Sequence, residues 1–150
     1  MRSLIKRGLT VLTLCTAVMA NAALSEVEYA IEVNVTGAEP ENGQMLISLF
    51  NASEDFLVTP LVQTIVPVDE QGNVSSSLGS HPPGYYAIAV VYDINKNGEL
   101  DTGWFGIPKE EIGVSNNAKG RFGPSKWNDA RFLLTDAPVK MEIQLAKAVP

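Results

Sequence analysis

The segment with the most chemical character is a run of oxygen-bearing side chains around one glycine. Side-chain oxygens stand at positions 1, 3, 5 and 9 of this run, and position 6 is glycine. In a calcium loop, alternate side chains point inward, glycine permits the sharp turn, and position 7 offers its backbone carbonyl. The candidate ligands of a Ca²⁺ ion are therefore Asp93, Asn95, Asn97, Glu99 (through its backbone oxygen) and Asp101.

The run departs from a complete calcium loop at position 12. An EF-hand places a bidentate glutamate there, whereas this chain has Trp104. With two certain carboxylates, we expect a weak site, with a dissociation constant on the order of 10⁻⁴ to 10⁻³ M. Glu110 or Glu111 could fold back to add a carboxylate. The alternative is a hairpin turn without metal, because Asn97-Gly98 favours a type I′ turn and Asp and Asn side chains bond their own backbone.

Other chemistry is sparse in this sequence. His81 is the only histidine, so no histidine-based triad and no multi-histidine metal site can form. The lysines and arginines are scattered and form no phosphate site. We therefore predict no catalytic residues, no organic cofactor and no enzymatic activity.

Residues 102–129 show no sustained hydrophobic period, yet both tryptophans lie there. Irregular segments of this length are uncommon in compact domains and are usually functional or partly structured. In one interpretation the aromatic side chains fold back and close an end of the domain. In the other, the segment is the ligand surface of a carbohydrate-binding or small hydrolytic protein. That candidate ligand surface comprises Trp104, Ser115, Asn116, Asn117 and Trp127.

The elements that must position these residues are short strands. From Val27 to Val35, apolar and polar residues alternate strictly, which predicts a half-buried strand. The run Tyr85 to Tyr92 is apolar on both faces, as in a central strand covered on both sides. Pro67 suggests a sheet edge. The polar run from Asn73 to Leu78 predicts a short, weak fourth strand. Seven such strands without an amphipathic helix predict an all-β, antiparallel sandwich of immunoglobulin-like or transthyretin-like type, with one long irregular loop.

The N-terminus has the order of a secretory signal. A basic start precedes an apolar run from Leu9 to Met19 and then Ala20-Asn21-Ala22, with small residues at the two positions that a signal peptidase reads. The apolar run is shorter than the roughly 20 residues of a membrane span. We predict a signal peptide at residues 1–22, one domain at residues 23–150, and a periplasmic or secreted protein.

Charge limits the partners of that domain. Residues 23–150 keep all 17 acidic residues and lose three of the 11 basic ones, which leaves a formal charge of −9. Such a surface repels nucleic acid and anionic lipid. The only cysteine, Cys15, leaves with the signal peptide, so no disulfide can stabilise the domain. We expect a non-enzymatic binding or accessory module with an unknown protein or glycan partner, no nucleic acid and no integral membrane segment. The alternative is a purely structural or partner-docking sandwich with no metal.

Several ordered motifs resemble a bacterial family catalogued as domain of unknown function 2141. The blocks are Gly84-Tyr85-Tyr86-Ala87-Ile88-Ala89-Val90, the run from Asp93 to Asp101, Phe105-Gly106-Ile107-Pro108-Lys109-Glu110, Gly113-Val114-Ser115-Asn116-Asn117, Gly123-Pro124 and Asp129-Ala130-Arg131-Phe132. The resemblance implies export and no established activity. The chain departs from it at Ile94, where an acidic residue is frequent, and at Ser125, where a second proline is usual.

The loop also resembles part of the B-type repeats of Gram-positive surface adhesins. Those repeats are transthyretin-like sandwiches with an Asp-x-Asn-x-Asn/Asp-Gly-x-x-Asp loop that binds calcium. The likeness covers the loop and the strand before it, and Trp104 departs from it as well. It implies a calcium site in the loop and says nothing about the rest of the chain.

Overall fold

The computed structural model describes residues 26–40, 42–120 and 123–147, which fold into two packed β-sheets. The predicted signal peptide, residues 1–22, lies outside the described residues. The strands of the described part are β1 (Tyr29–Thr36), β2 (Gln44–Phe50), β3 (Val62–Pro67), β4 (Asn73–His81), β5 (Gly84–Asp93), β6 (Ile112–Val114), β7 (Phe132–Leu134) and β8 (Val139–Gln144).

The first sheet has the order β4-β1-β8 and the second has the order β3-β2-β5-β6, with β7 paired to the start of β5. All pairs are antiparallel except β1 with β8. A parallel pair needs a long crossover connection, and the chain from β2 to β7 supplies it. The chain therefore returns from the second sheet to the first, where β8 lies beside β1.

Alternating apolar residues of both sheets meet between them and form the main core. Ile31, Val33 and Val35 of β1 are fully buried there. Tyr86, Ile88, Val90 and Tyr92 of β5 face them from the second sheet. Period-two alternation places each of these sets on one face of its strand, which is why the sequence specifies this layer so clearly.

The outer face of the second sheet carries a smaller apolar cluster. Phe50, Ala87 and Val114 lie on the sheet, and Phe56 and Ala130 cover them. Phe56 makes edge-on ring contacts with Phe50 and with Trp127, at centroid distances of 5.4 and 5.7 Å. The second sheet is thus covered on both faces at this end, as the apolar sequence of β5 predicts.

The predicted β-sandwich is confirmed, with three differences in detail. The described residues hold eight strands rather than seven, because β6 lies inside the segment predicted to be irregular. The β1–β8 pair is parallel. The polar fourth strand, predicted to be short and weak, is nine residues long. Pro67 does end an edge strand, since β3 is the first strand of its sheet.

The helices are single turns. Two are 3₁₀ turns, Trp104–Gly106 and Ser115–Asn117, and the third is the α-helix α1 at Trp127–Ala130. Within the described part of the chain, no helix has the length and apolar character needed to cross a bilayer.

Candidate metal-binding loop

The candidate loop begins where the central strand ends. Asp93 is the last residue of β5 and is completely buried. Its Oδ2 accepts hydrogen bonds from Nε2 of Gln44 and from the backbone N–H of Gly98, both at 2.8 Å, and its Oδ1 accepts the N–H of Asn97 at 3.2 Å. The strand neighbour and the loop backbone therefore share this one carboxylate.

These hydrogen bonds keep Asp93 ionised. Burial penalises the charged form and by itself raises the pKa of a carboxyl. The hydrogen bonds from Gln44 and from the N–H groups of Gly98 and Asn97 outweigh burial, so the pKa of Asp93 lies below its ordinary value. The base of the loop thus carries a fixed negative charge.

The two asparagines shape the turn through local hydrogen bonds. Oδ1 of Asn95 accepts the N–H of Asn97 at 3.1 Å, and Oδ1 of Asn97 accepts the N–H of Glu99 at 2.9 Å. Lys96 and Gly98 have positive φ angles of 59° and 81°. Such side-chain bonds and left-handed residues are typical of Asx turns, so the loop keeps its shape through its own polar groups.

Asp101 closes the loop on its exposed side. Its Oδ2 accepts Nδ2 of Asn95 at 2.6 Å, and its backbone N–H donates to Oε2 of Glu110 at 3.1 Å. Glu110 is buried, so it does fold back onto the loop, although it contacts backbone there. Among the residues that the structure describes, no three acidic, histidine or cysteine side chains are grouped closely enough to hold a metal ion.

The five predicted metal ligands therefore divide into two groups. Asn95 and Asp101 meet at the loop surface, while the Asp93 carboxylate lies at the base and Asn97 supports the backbone between them. Glu99 is exposed. Gln44 is the partner that the sequence interpretation missed. It lies about fifty residues upstream, and only the β2–β5 register, which pairs it with Asp93, brings the two together.

The residues beyond the loop form a small hairpin with a tryptophan at its tip. The N–H of Gly103 donates to the carbonyl of Ile107 at 2.7 Å, and the N–H of Lys109 donates to the carbonyl of Asp101 at 2.9 Å. Thr102 and Pro108 are bridged between these bonds. Trp104 is 89% exposed, so it does not close the end of the sandwich.

Three of the residues predicted to form a ligand surface hydrogen-bond to the protein's own backbone. Ser115 is fully buried. Its hydroxyl accepts the N–H of Ile88 at 2.9 Å and lies 2.6 Å from the carbonyl of Ala130, to which it donates. The hydroxyl of Ser115 is thus hydrogen-bonded to backbone groups on both of these segments.

The neighbouring asparagines are also tied to the backbone. Nδ2 of Asn116 donates to carbonyls of the chain from Asp129 to Arg131, at 3.0 to 3.2 Å. Oδ1 of Asn117 accepts the N–H of Gln144 at 2.9 Å. Trp127 is half-buried and packs against Phe56 of the outer cluster. Trp104 and Trp127 therefore do not form one surface.

The fold and the loop define a β-sandwich protein whose central strand runs directly into a polar, oxygen-rich turn. The chain belongs to the family described as "Uncharacterized protein conserved in bacteria (DUF2141)", whose model matches residues 33–142. That span includes the whole loop and the hairpin after it. No curated protein and no solved structure gave a significant match.

Proposed function

We propose that this protein is an exported, non-enzymatic binding or accessory module in which residues 93–101 bind one Ca²⁺ ion weakly. The observation that supports the proposal is the pairing of Asn95 with Asp101 at 2.6 Å, above the ionised Asp93 carboxylate at the base of the same loop. Every side chain in this set offers oxygen, which suits a hard cation.

The arrangement favours low affinity. Asp93 already accepts three hydrogen bonds, so a cation competes with the protein's own N–H groups for its lone pairs. The Asn95–Asp101 hydrogen bond must break, or the Asn95 side-chain amide must rotate, so that Oδ1 of Asn95 faces the ion. Water molecules would complete the shell, as they do in weak extracellular calcium sites.

Calcium would stabilise the folded protein because the site exists only when β5 and the loop are formed. With a dissociation constant near 10⁻³ M, about 10 mM Ca²⁺ contributes roughly 1.4 kcal/mol, which corresponds to about 4–6 °C in Tm for a domain of this size. The measurement is a thermal melt in EDTA, in Ca²⁺ and in an equal concentration of Mg²⁺. The Mg²⁺ arm is needed because any divalent ion screens the acidic surface.

The variant that isolates the ion is Asp101→Asn, which retains the side-chain shape and removes one charge. We expect it to retain its melting temperature in EDTA and to lose most of the Ca²⁺ shift. Asp136→Asn, an exposed site between β7 and β8, is the matched control and should keep the full shift. Equal melting curves in EDTA and Ca²⁺, or equal shifts in Ca²⁺ and Mg²⁺, would contradict a calcium site.

Two other functions use different parts of the surface. A glycan-binding or hydrolytic role would use the 89% exposed Trp104. Of its other predicted residues, Ser115 is buried, and Asn116 and Asn117 already hydrogen-bond to the backbone. A structural or partner-docking role would use β3, an edge strand whose last residue, Pro67, donates no hydrogen bond. The loop supports calcium more directly than the tip supports a sugar, because the side chains of Asn95 and Asp101 meet in the same loop as the ionised Asp93.

A further inference from the structure

Two asparagine-glycine pairs occur in this chain, Asn42-Gly43 and Asn97-Gly98. In such a pair the nitrogen of the glycine can attack the side-chain carbonyl carbon of the asparagine, because no Cβ hinders its approach. Asparagine is accordingly among the residues that proteins lose to heat. The dipeptide is the same in both places, so any difference in reactivity must come from the fold.

The Asn42-Gly43 pair is fixed against the main core. The hydroxyl of Tyr92 donates to the carbonyl of Asn42 at 3.0 Å, and Nδ2 of Asn42 donates to Oε2 of Glu39, also at 3.0 Å. Gly43 is buried, and a Cβ placed on it would lie 2.8 Å from the Tyr92 ring and from the carbonyl oxygen of Asp93. Turning this peptide toward the asparagine side chain would displace the start of β2, so we expect Asn42 to be protected in the folded protein.

The Asn97-Gly98 pair has room to react. Asn97 is exposed and lies in the loop rather than beside a strand. Apart from its neighbours in the chain, a Cβ placed on Gly98 would meet none of the described residues within 4 Å. The peptide between these two residues can therefore turn without displacing the core.

Two hydrogen bonds of the loop act on the reacting atoms themselves. Oδ1 of Asn97 accepts the N–H of Glu99 at 2.9 Å, which polarises the carbonyl under attack and stabilises the negative charge that develops on its oxygen. The N–H of Gly98 donates to Oδ2 of Asp93 at 2.8 Å, so the proton that this nitrogen must lose already faces a carboxylate. The hydrogen bonds that outweigh burial hold the pKa of Asp93 low, so it is a weak base and we expect slow conversion.

We propose that Asn97 is a site of spontaneous deamidation in the folded protein, whereas Asn42 is protected. The nitrogen of Gly98 bonds to Cγ of Asn97, the Cγ–Nδ2 bond breaks, and Nδ2 leaves as ammonia with the proton that the Gly98 nitrogen gave up. Water then opens the cyclic imide. Opening at Cγ gives aspartate and opening at the main-chain carbonyl gives isoaspartate, and either product adds one negative charge to the loop.

The aspartate product has a consequence for calcium that rests on the proposed function. It places a third carboxylate among the side-chain ligands, with those of Asp93 and Asp101, and more ligand charge tightens a calcium site. We expect Asn97→Asp to lower the dissociation constant for Ca²⁺ by about three- to tenfold, measured from the Ca²⁺ dependence of Tm. If neither protein responds to Ca²⁺, the calcium function is rejected and the deamidation, which is measured in EDTA, is not.

The test follows both asparagines in one sample. The folded protein is kept in EDTA at mildly alkaline pH in water labelled with the heavy oxygen isotope, and it is digested in ordinary water, so that only conversion during the incubation carries the label. Peptide mass mapping measures the labelled product at positions 42 and 97, and a parallel sample in urea gives both rates without the fold. We expect at least about tenfold faster conversion at Asn97 than at Asn42 in the folded protein, and similar rates in urea.

Two glutamine variants assign the new charge to its position. Asn97→Gln keeps the amide on a longer side chain that disfavours the cyclic imide, so the acidic form that accumulates on isoelectric focusing of the aged protein should disappear. Asn42→Gln is the matched control and should leave that form unchanged. Equal conversion at the two positions in the folded protein would overturn the proposal. So would an Asn97 that stays intact in the folded protein while it converts in urea.

Discussion

Asp93 connects the loop to the sandwich, whether or not a cation is bound. Its carboxylate accepts a hydrogen bond from Gln44 in the neighbouring strand and from two N–H groups of the turn. Hydrogen bonds to a charged acceptor are among the stronger contributions to stability. The same residue that looks like a calcium ligand is therefore also a structural cap, and a variant at Asp93 changes folding before it reports on metal.

That role predicts a pH-dependent effect for Asp93→Asn. The amide cannot accept all three hydrogen bonds, so we expect the free energy of unfolding at pH 7 to fall by about 1–3 kcal/mol. The folded-state pKa of Asp93 is depressed, so its contribution is complete above the unfolded pKa near 4 and is lost as pH falls through the lower folded value. The difference between the wild-type protein and the variant should therefore narrow only below about pH 4.

Urea unfolding in EDTA at pH 7 and at pH 3 measures this difference. Asp136→Asn serves as the control and should match the wild-type protein at both values. A deficit of equal size at both pH values would mean that the Asp93 charge does not contribute, and that the loss reflects packing alone.

The sequence predicts the local part of the site well and its long-range part poorly. Asn95 and Asn97 bond N–H groups two residues away, and such bonds follow from residue type and spacing. Gln44 and Ser115 depend on strand register and on the packing of α1, which join positions far apart in the chain. Residue spacing alone could not show that the hydroxyl of Ser115 is hydrogen-bonded to backbone groups of Ile88 and Ala130.

Among the strands, too, local sequence patterns predict some features and long-range pairing determines others. The strict alternation of β1 predicts its strand because side chains on one face are buried and those on the other are polar. The run of apolar residues in β5 predicts a strand that is covered on both faces. β6 is only three residues long, too short for any period to emerge. The parallel β1–β8 pair arises from the return path of the whole chain, which no local pattern specifies.

The short strand β6 is held close to β8, and Gly113 permits that approach. A Cβ at Gly113 would lie 2.5 Å from Cγ2 of Ile143, which is nearly fully buried. We expect Gly113→Ala to lower the free energy of unfolding by about 1–3 kcal/mol through overpacking. Adding Ile143→Leu removes the branched methyl at that point and should restore part of the loss, a coupling that a double-mutant cycle in urea measures.

Gly84→Ala is the matched control for this cycle, because its Cβ would meet its nearest neighbour at 3.6 Å, an ordinary contact. It should change the free energy of unfolding much less than Gly113→Ala does. If Gly113→Ala and Ile143→Leu change the free energy of unfolding additively, the Cβ at position 113 does not clash with the Ile143 side chain.

At the scale of the whole molecule, stability must come from packing. The main core and the outer cluster share the second sheet, and each tyrosine of β5 that faces the main core also bonds through its hydroxyl to a loop carbonyl. Burial raises the pKa of Tyr86 and of Tyr92, so both hydroxyls remain protonated donors at neutral pH. The described residues contain no cysteine, so these contacts act without a disulfide.

Removal of the predicted signal peptide would set the N-terminus of the mature protein. If residues 1–22 are a signal peptide, a Gram-negative host should export the chain and process it after Ala22, and mass spectrometry of the periplasmic fraction should find a protein that begins at Ala23. Ala22→Arg should block processing, because the cleavage site needs a small residue there, while Asn21→Gln, at the position between the two small ones, should not. The processed protein has lost Cys15, so a reductant should leave its Tm unchanged. An intact chain in the cytoplasm, or a lipid-modified Cys15, would contradict this placement of the cleavage site.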